Sequence, residues 1–197
     1  MDAVRVALLR EVLAGTQWLG ATRRFGAVLR GSVVSHGGGL LLVGTARHEP
    51  WHLAAHLVDE AAWSGTPELA PTLVRHHARP SDPAHLAVGL GRIEAARRGE
   101  TLLVASPESD PALLERVSDA RRAGVTVLAL GPGERELTAL SHETLTVPED
   151  SELDLDTVQH LVSAAAGEAA APRGRRGLRD RLSRLAESLT APPPGPW

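Results

Sequence analysis

The sequence predicts an α/β fold of three layers, in which a parallel sheet of about five strands is covered by helices on both faces. Short continuous apolar runs at Leu40–Val43, Thr101–Ala105 and Val125–Leu130 are typical of strands buried on both faces. A turn containing glycine or serine follows each run, and a segment with helical spacing of apolar residues follows each turn. Repeated strand–turn–helix units favour a parallel sheet, in which ligands bind at the carboxyl ends of the strands.

Two helices are predicted before the first strand, at Val4–Leu13 and Ala21–Ser35, from their spacing of apolar residues. They either flank the sheet or form a subunit interface, and the sequence does not distinguish these alternatives. After the strand Leu40–Val43 comes the turn Gly44–Pro50, where the proline suits a helix start. The helix Trp51–Trp63 is expected to follow it.

The remaining elements continue the alternation as far as Ala166. The other predicted strands are Leu69–His76 and Glu143–Val147, and the other predicted helices are Ala84–Arg98, Pro111–Ala123, Glu134–Leu140 and Leu155–Ala166. We therefore divide the chain into an N-terminal helical region (1–35), an α/β domain (36–166) and a C-terminal segment (167–197). This last segment is expected to contain a linker, an amphipathic helix at Gly177–Leu189 with a leucine stripe, and a proline-rich tail.

Composition restricts the chemistry of the chain. All 21 basic residues are arginine, which excludes Schiff-base catalysis and a lysine-bearing phosphate loop. The absence of cysteine excludes disulfides and thiolate metal sites, whereas nine histidines leave imidazole as a metal ligand. The net charge of −3 predicts no general affinity for nucleic acid or anionic membranes. Because no apolar run could span a bilayer, we expect a cytoplasmic protein.

The order of elements, with LLLVGTA early and ETLLVASPESDPALLERVSDARRAGVTVLALG later, resembles the SIS (sugar isomerase) family of phosphosugar-binding domains. The resemblance extends from about Gly31 to Ala166. Within the family it is greatest to the phosphoheptose isomerase branch, because of the N-terminal helical region and the segment His52–His56. It implies a flavodoxin-like fold, a sugar-phosphate ligand and a homodimer or homotetramer.

The resemblance also implies a ligand site at the carboxyl ends of the first and third strands. The residues expected to bind the ligand there are Gly44, Thr45, Arg47, His48, Ser106 and Ser109. Arg47 could hold a phosphate bidentately, and the serines could donate hydroxyl hydrogen bonds. Both loops depart from the glycine- and serine-rich loops of the family, and Glu108 and Asp110 place two carboxylates where a dianion would bind. Asp110 could instead cap the helix that begins at Pro111.

A metal site is the second candidate feature. His52 and His56 are four residues apart and share a helix face, at the segment where phosphoheptose isomerases bind metal through a histidine and a glutamate. The resemblance implies a further ligand from the last helix, where His160 lies. Zn²⁺ is the expected cofactor if these three residues bind one, and no other cofactor is predicted. Alternatively, His52 and His56 are partly buried helix residues that bond to water or backbone.

Candidate catalytic residues are Glu49, as a base that moves a proton between adjacent carbons, and His56. Alternatively, Glu49 only complements the helix dipole. Three functions remain open. The first, which we favour, is a non-catalytic and regulatory sugar-phosphate-binding protein. The second is a metal-assisted sugar-phosphate isomerase, and the third is an oligomeric interaction protein with a vestigial pocket.

Overall fold

The computed structural model describes residues 13–108 and 110–168 and contains a five-stranded sheet in the order β2-β1-β3-β4-β5. All four neighbouring pairs are parallel, which confirms the predicted fold class. The strands are β1 (Leu40–Val43), β2 (Pro71–Val74), β3 (Thr101–Ala105), β4 (Thr126–Gly131) and β5 (Glu143–Thr146).

Helices connect these strands and cover both faces of the sheet. They are α1 (Gln17–His36), α2 (Trp51–Ser64), α3 (Gly91–Glu94), α4 (Pro111–Arg122), α5 (Arg135–Leu140) and α6 (Leu155–Gly167). Helices α1, α2 and α6 pack together on one face. Helices α3, α4 and α5 lie on the other face. Since α2 and α6 belong to one layer, their side chains can meet although about a hundred residues separate them in the chain.

The core divides into two parts because successive side chains of a strand point to opposite faces of the sheet. Leu40 and Leu42 join the core beneath α1, α2 and α6, whereas Leu41 and Val43 join the core beneath α3, α4 and α5. Every residue of β1 and of β3 is buried. The continuous apolar runs in the sequence thus correspond to the central strands of the sheet.

The predicted helix Ala84–Arg98 is wrong over most of its length, since only Gly91–Glu94 forms a helix within it. Residues 75–90 form a connection of successive turns, and within it the backbone N–H of Arg75 donates to the carbonyl of Val88 at 2.8 Å. Arg75 also forms an isolated parallel bridge with Gly89. A backbone that pairs with the end of β2 cannot also continue a helix, and glycine at positions 89 and 91 disfavours the helix further. Ile93 is nevertheless fully buried, as its apolar spacing predicted.

Smaller differences concern the ends of elements. The predicted strand Leu69–His76 is limited to Pro71–Val74, because Pro67–Leu69 forms a turn of 3₁₀ helix. Helix α1 begins at Gln17, before the predicted Ala21. Most of the predicted helix Val4–Leu13 and the whole predicted helix Gly177–Leu189 lie outside the described residues. Among the helices of the described part, none is both long and apolar enough to cross a membrane.

Candidate metal centre and anion-binding loops

The loops after β1 and β3 are adjacent because these strands pair in register, with Val43 opposite Val104. The first loop closes in a tight turn, in which the N–H of Thr45 donates to the carbonyl of His48 at 3.1 Å and the N–H of His48 donates back at 3.2 Å. Gly44 is required at the start of this turn, since a Cβ there would overlap the carbonyl oxygen of His48. The predicted binding residues Gly44, Thr45 and Ser106 therefore lie at the same edge of the sheet.

Three imidazole rings, from His52, His56 and His160, come together beside this edge. Their ligand nitrogens all lie within 4.8 Å of one another. The ring centroids of His52 and His56 are 4.7 Å apart, and those of His52 and His160 are 4.2 Å apart. His52 and His56 occupy the first two turns of α2, and His160 lies in the second turn of α6. Both helices start after strands of a parallel sheet, so their first turns lie toward the carboxyl edge.

The spacing of two of the three nitrogens fits a divalent metal ion. His52 Nε2 and His56 Nε2 are 3.1 Å apart. Tetrahedral Zn²⁺ with nitrogen ligands at about 2.0–2.1 Å requires nitrogens roughly 3.3 Å apart, so this pair needs little adjustment. In the absence of metal, one ring must donate and the other accept, so the two nitrogens cannot both carry a proton.

The electrostatic environment favours the neutral imidazole of His56. Burial lowers the pKa of His56 from its ordinary value of 6.5, the neighbouring His52 acts in the same direction, and Asp59 opposes them. Neutral imidazole is the form that binds metal, so metal binding does not require a proton to be removed from His56 near pH 7.

The start of α6, which positions His160, is capped by Asp154. Its Oδ1 accepts a hydrogen bond from the N–H of Thr157 at 2.7 Å. The hydrogen bonds from the Thr157 side chain and backbone lower the pKa of Asp154. The carboxylate also satisfies a backbone donor that the first turn of a helix otherwise leaves without a partner.

The predicted anion-binding groups contact a carboxylate of the protein itself. Thr45 Oγ1 donates to Glu108 Oε1 at 3.0 Å, and Arg47 Nη1 lies 3.6 Å from Glu108 Oε2. Ser106 Oγ donates to the Glu108 carbonyl at 2.8 Å and accepts from the Glu108 N–H at 3.2 Å. Ser109, the other predicted hydroxyl donor, lies outside the described residues.

Asp110 caps α4, which is one of the two alternatives that the sequence left open for this residue. Its Oδ1 accepts hydrogen bonds from the N–H groups of Ala112 at 2.9 Å and Leu113 at 3.4 Å. A shallow cleft lies beside this cap, between the ends of β3 and β4. The residues that line this cleft include Ser106, Glu108, Asp110, Gly131 and Glu134. None of the three clustered histidines lines it.

Glu49 is held by three donors that its sequence position does not reveal. Its carboxylate accepts from Arg75 Nε at 3.2 Å, from the N–H of His76 at 3.0 Å and from Trp51 Nε1 at 3.1 Å. Arg75 also donates to Asp82 at 3.0 Å, and its guanidinium lies 4.8 Å from the centroid of the Trp51 ring. These contacts connect the loop after β1 to the connection after β2. They favour a structural role for Glu49 over that of a base.

Two of the most informative contacts were not predicted from the sequence. The bond between Thr45 and Glu108 has no sequence signal, since it joins residues 63 positions apart. The ion pair between Arg75 and Glu49 is not marked by any sequence motif. The one available signal is the position of Arg75 directly after a buried strand, where an arginine can pair with a loop carboxylate. His48 lies in the turn itself, and its Nε2 is buried with no hydrogen-bond partner among the described residues.

The sequence matches no protein-family model, and no curated protein matches it. The fold is similar to that of solved isomerase structures. One is a proposed phosphosugar isomerase from Silicibacter pomeroyi DSS-3, with a TM-score of 0.52 and 18% identity, covering 93% of this chain and 52% of that protein. Another is a phosphoheptose isomerase from Francisella tularensis, with a TM-score of 0.50 and 15% identity, covering 85% of this chain and 97% of that protein. This chain thus spans about half the length of the first protein.

Proposed function

We propose that this protein binds a sugar phosphate at the carboxyl edge of its sheet, next to a zinc ion held by His52, His56 and His160. The observation that carries the proposal is the convergence of these three side chains from two helices, with ligand nitrogens within 4.8 Å of one another. The similarity of the fold to structures described as phosphosugar and phosphoheptose isomerases supports the ligand class.

Three histidines would leave a fourth tetrahedral position open, as in catalytic zinc sites. A zinc ion held by these histidines would supply Lewis-acid chemistry, which an aldose–ketose isomerisation can use. The chain's own residues would bind and orient the ligand. Thr45 and Arg47 would supply side-chain donors from the first loop, and the half-exposed His48 lies in the same loop.

Zinc binding by the full chain, produced without a histidine tag, tests the metal centre. We expect one zinc per chain by elemental analysis, and a cobalt-substituted protein with the visible absorption of a tetrahedral site. His52→Ala and His160→Ala should each weaken zinc binding by about 10- to 100-fold or more. His85→Ala is the matched control, because His85 is exposed and outside the cluster. Equal affinity in the cluster variants and the control would contradict the proposal.

A non-catalytic, regulatory function is the second candidate, and the contacts of Glu49 favour it. The carboxylate predicted as a base is held by Arg75, His76 and Trp51, so it is not available to remove a proton from a ligand. Incubation of the zinc-loaded protein with hexose and heptose phosphates in D₂O separates the two functions. An isomerase exchanges a carbon-bound proton for deuterium, whereas a binding protein shifts the ligand's NMR signals without exchange.

A further inference from the structure

The side chain of Glu108 bridges the two loops that were predicted to bind an anion. Glu108 follows β3 in the chain, yet its carboxylate contacts Thr45 and Arg47, which follow β1. Thr45 is only 3% exposed, so the hydrogen bond from its hydroxyl to Glu108 is made away from bulk water. The Thr45 hydroxyl oxygen also accepts a hydrogen bond from the N–H of His48 at 3.3 Å, while the hydroxyl proton is donated to Glu108.

The local backbone holds Glu108 in this position. Ser106 Oγ bonds to both the N–H and the carbonyl of Glu108, which closes a compact turn directly after β3. Asp110 accepts from the first N–H groups of α4 on the other side of the same loop. Among the described residues of these loops, Thr45 and Arg47 therefore contact the Glu108 carboxylate, and Ser106 donates to the Glu108 carbonyl.

We propose that Glu108 is an internal anion that occupies the phosphate position between Thr45 and Arg47, so that a sugar phosphate binds only after displacing it. This inference rests on the proposed function and adds a regulatory contact to the same site. Carboxylate and phosphate oxygens accept the same hydrogen bonds, and two anions in one small site repel each other. The site thus selects ligands whose remaining contacts offset the displacement of Glu108.

The two contacts of Glu108 differ in strength, and this difference makes displacement feasible. The Arg47 side chain is 87% exposed and that of Glu108 is 38% exposed, so the ion pair is screened by water and weak. The hydrogen bond to the buried Thr45 hydroxyl is the stronger contact, because it joins a charged acceptor to a donor shielded from water. Loss of that single bond would allow the carboxylate to turn toward solvent.

Phosphate affinity of Glu108 variants tests the proposal. We expect Glu108→Gln to bind inorganic phosphate and hexose phosphates about tenfold more tightly than the wild type by calorimetry, as removal of a competing charge predicts. Glu108→Asp, which keeps the charge but shortens the side chain, should give a smaller gain. Adding Arg47→Ala to Glu108→Gln should remove most of the gain. The double variant lacks the guanidinium that would otherwise bind the phosphate.

Glu134→Gln is the matched control, because Glu134 lines the cleft beside Glu108, whereas the carboxylate that contacts Thr45 and Arg47 is that of Glu108. Its phosphate affinity should equal that of the wild type. No gain in Glu108→Gln, or an equal gain in Glu134→Gln, would overturn the proposal. The titrations are repeated with metal-stripped protein and with His52→Ala. A gain that persists there supports the Glu108 contact even if the zinc centre proves wrong, and thermal unfolding verifies that each variant is folded.

Discussion

Gly44 determines how the loop after β1 leaves the sheet. The carbonyl oxygen of His48 approaches so closely that there is no space for a Cβ at this position, and the Ala105 carbonyl oxygen lies 3.0 Å from where that Cβ would be. A similar close approach occurs at Gly131, where a Cβ would overlap the carbonyl oxygen of Ser106. These two glycines bring the loops after β1, β3 and β4 close to one another at the edge that carries the candidate site.

Gly44→Ala should therefore destabilise the protein, by about 2–3 kcal/mol, because the turn must open to admit a methyl group. Gly31→Ala is the control. Gly31 is an exposed residue of α1 whose Cβ would meet nothing within 4 Å, so alanine should stabilise that helix by about 0.5–1 kcal/mol. Urea unfolding of the two variants measures both changes, and a Gly44→Ala protein as stable as the wild type would contradict the close approach.

Glu49 and Arg75 form an ion pair with side chains only 13% and 18% exposed, respectively. We expect Glu49→Ala to cost about 2–3 kcal/mol in the free energy of unfolding, since Arg75 would keep Asp82 but lose the other of its two carboxylate partners. Glu68→Ala, at an exposed carboxylate, should change stability by no more than about 0.5 kcal/mol. If Glu49 were a base and not an anchor, its replacement would abolish proton exchange in D₂O while stability stayed unchanged.

At the scale of the helix, α6 depends on Asp154 for its start. Asp154 caps this helix, which carries His160. The helix itself packs against both α1 and α2. Helix α4 has the same arrangement, with Asp110 accepting from the N–H groups of Ala112 and Leu113. In both helices a carboxylate satisfies orphan donors of the first turn, which adds a favourable interaction with the helix dipole.

The cap at Asp154 predicts a specific pH dependence of stability. Because the pKa of Asp154 is lower in the folded protein than its ordinary value of 3.8, its contribution is present above pH 3.8 and lost as the pH falls through the folded pKa. Asp154→Asn keeps a capping oxygen without the charge. The advantage of the wild type over this variant in free energy of unfolding should be greatest near neutral pH and shrink below about pH 4, whereas Asp154→Ala should cost about 1 kcal/mol at pH 7. A difference independent of pH would contradict the role of the charge.

At the scale of the whole molecule, the layer of α1 and α2 retains exposed apolar surface. Val58 and Trp63 of α2 are 50% and 62% exposed, and Val34 of α1 is 48% exposed. Trp51 and Val58 are seven residues apart, which places them on the same face of α2. Such surface is expected at a subunit interface. The homodimer or homotetramer that the resemblance implied stays a prediction.

We therefore predict that the protein is at least a dimer at micromolar concentration and that this layer contributes to the interface. Light scattering coupled to size-exclusion chromatography gives the mass directly. Val58→Asp should shift the protein toward monomer, because a buried unpaired carboxylate opposes association. Thr138→Asp introduces the same group on α5, on the opposite face of the sheet, and should leave the mass unchanged. A monomeric wild type would refute the prediction.

The sequence by itself determined the parallel α/β fold and its central strands, because a strand buried on both faces must be a continuous apolar run. It also indicated the helical pair His52 and His56, since four residues make one turn of a helix. It misassigned Ala84–Arg98 except for Gly91–Glu94, in part because the pairing of Arg75 with Gly89 is tertiary and overrides local apolar spacing. It left open the partners of Glu49 and Glu108, which depend on which loops the sheet order brings together.

Only the tertiary structure decided that His160 joins the pair on α2, about a hundred residues earlier in the chain. The same holds for Glu108 as the partner of Thr45, whereas Asp110 caps its own helix through the N–H groups of Ala112 and Leu113. A carboxylate in a loop can turn inward or outward at similar local cost, so its own sequence does not fix its direction. For Glu108 the loop after the neighbouring strand β1 makes that choice, because it places the Thr45 hydroxyl 3.0 Å from the carboxylate.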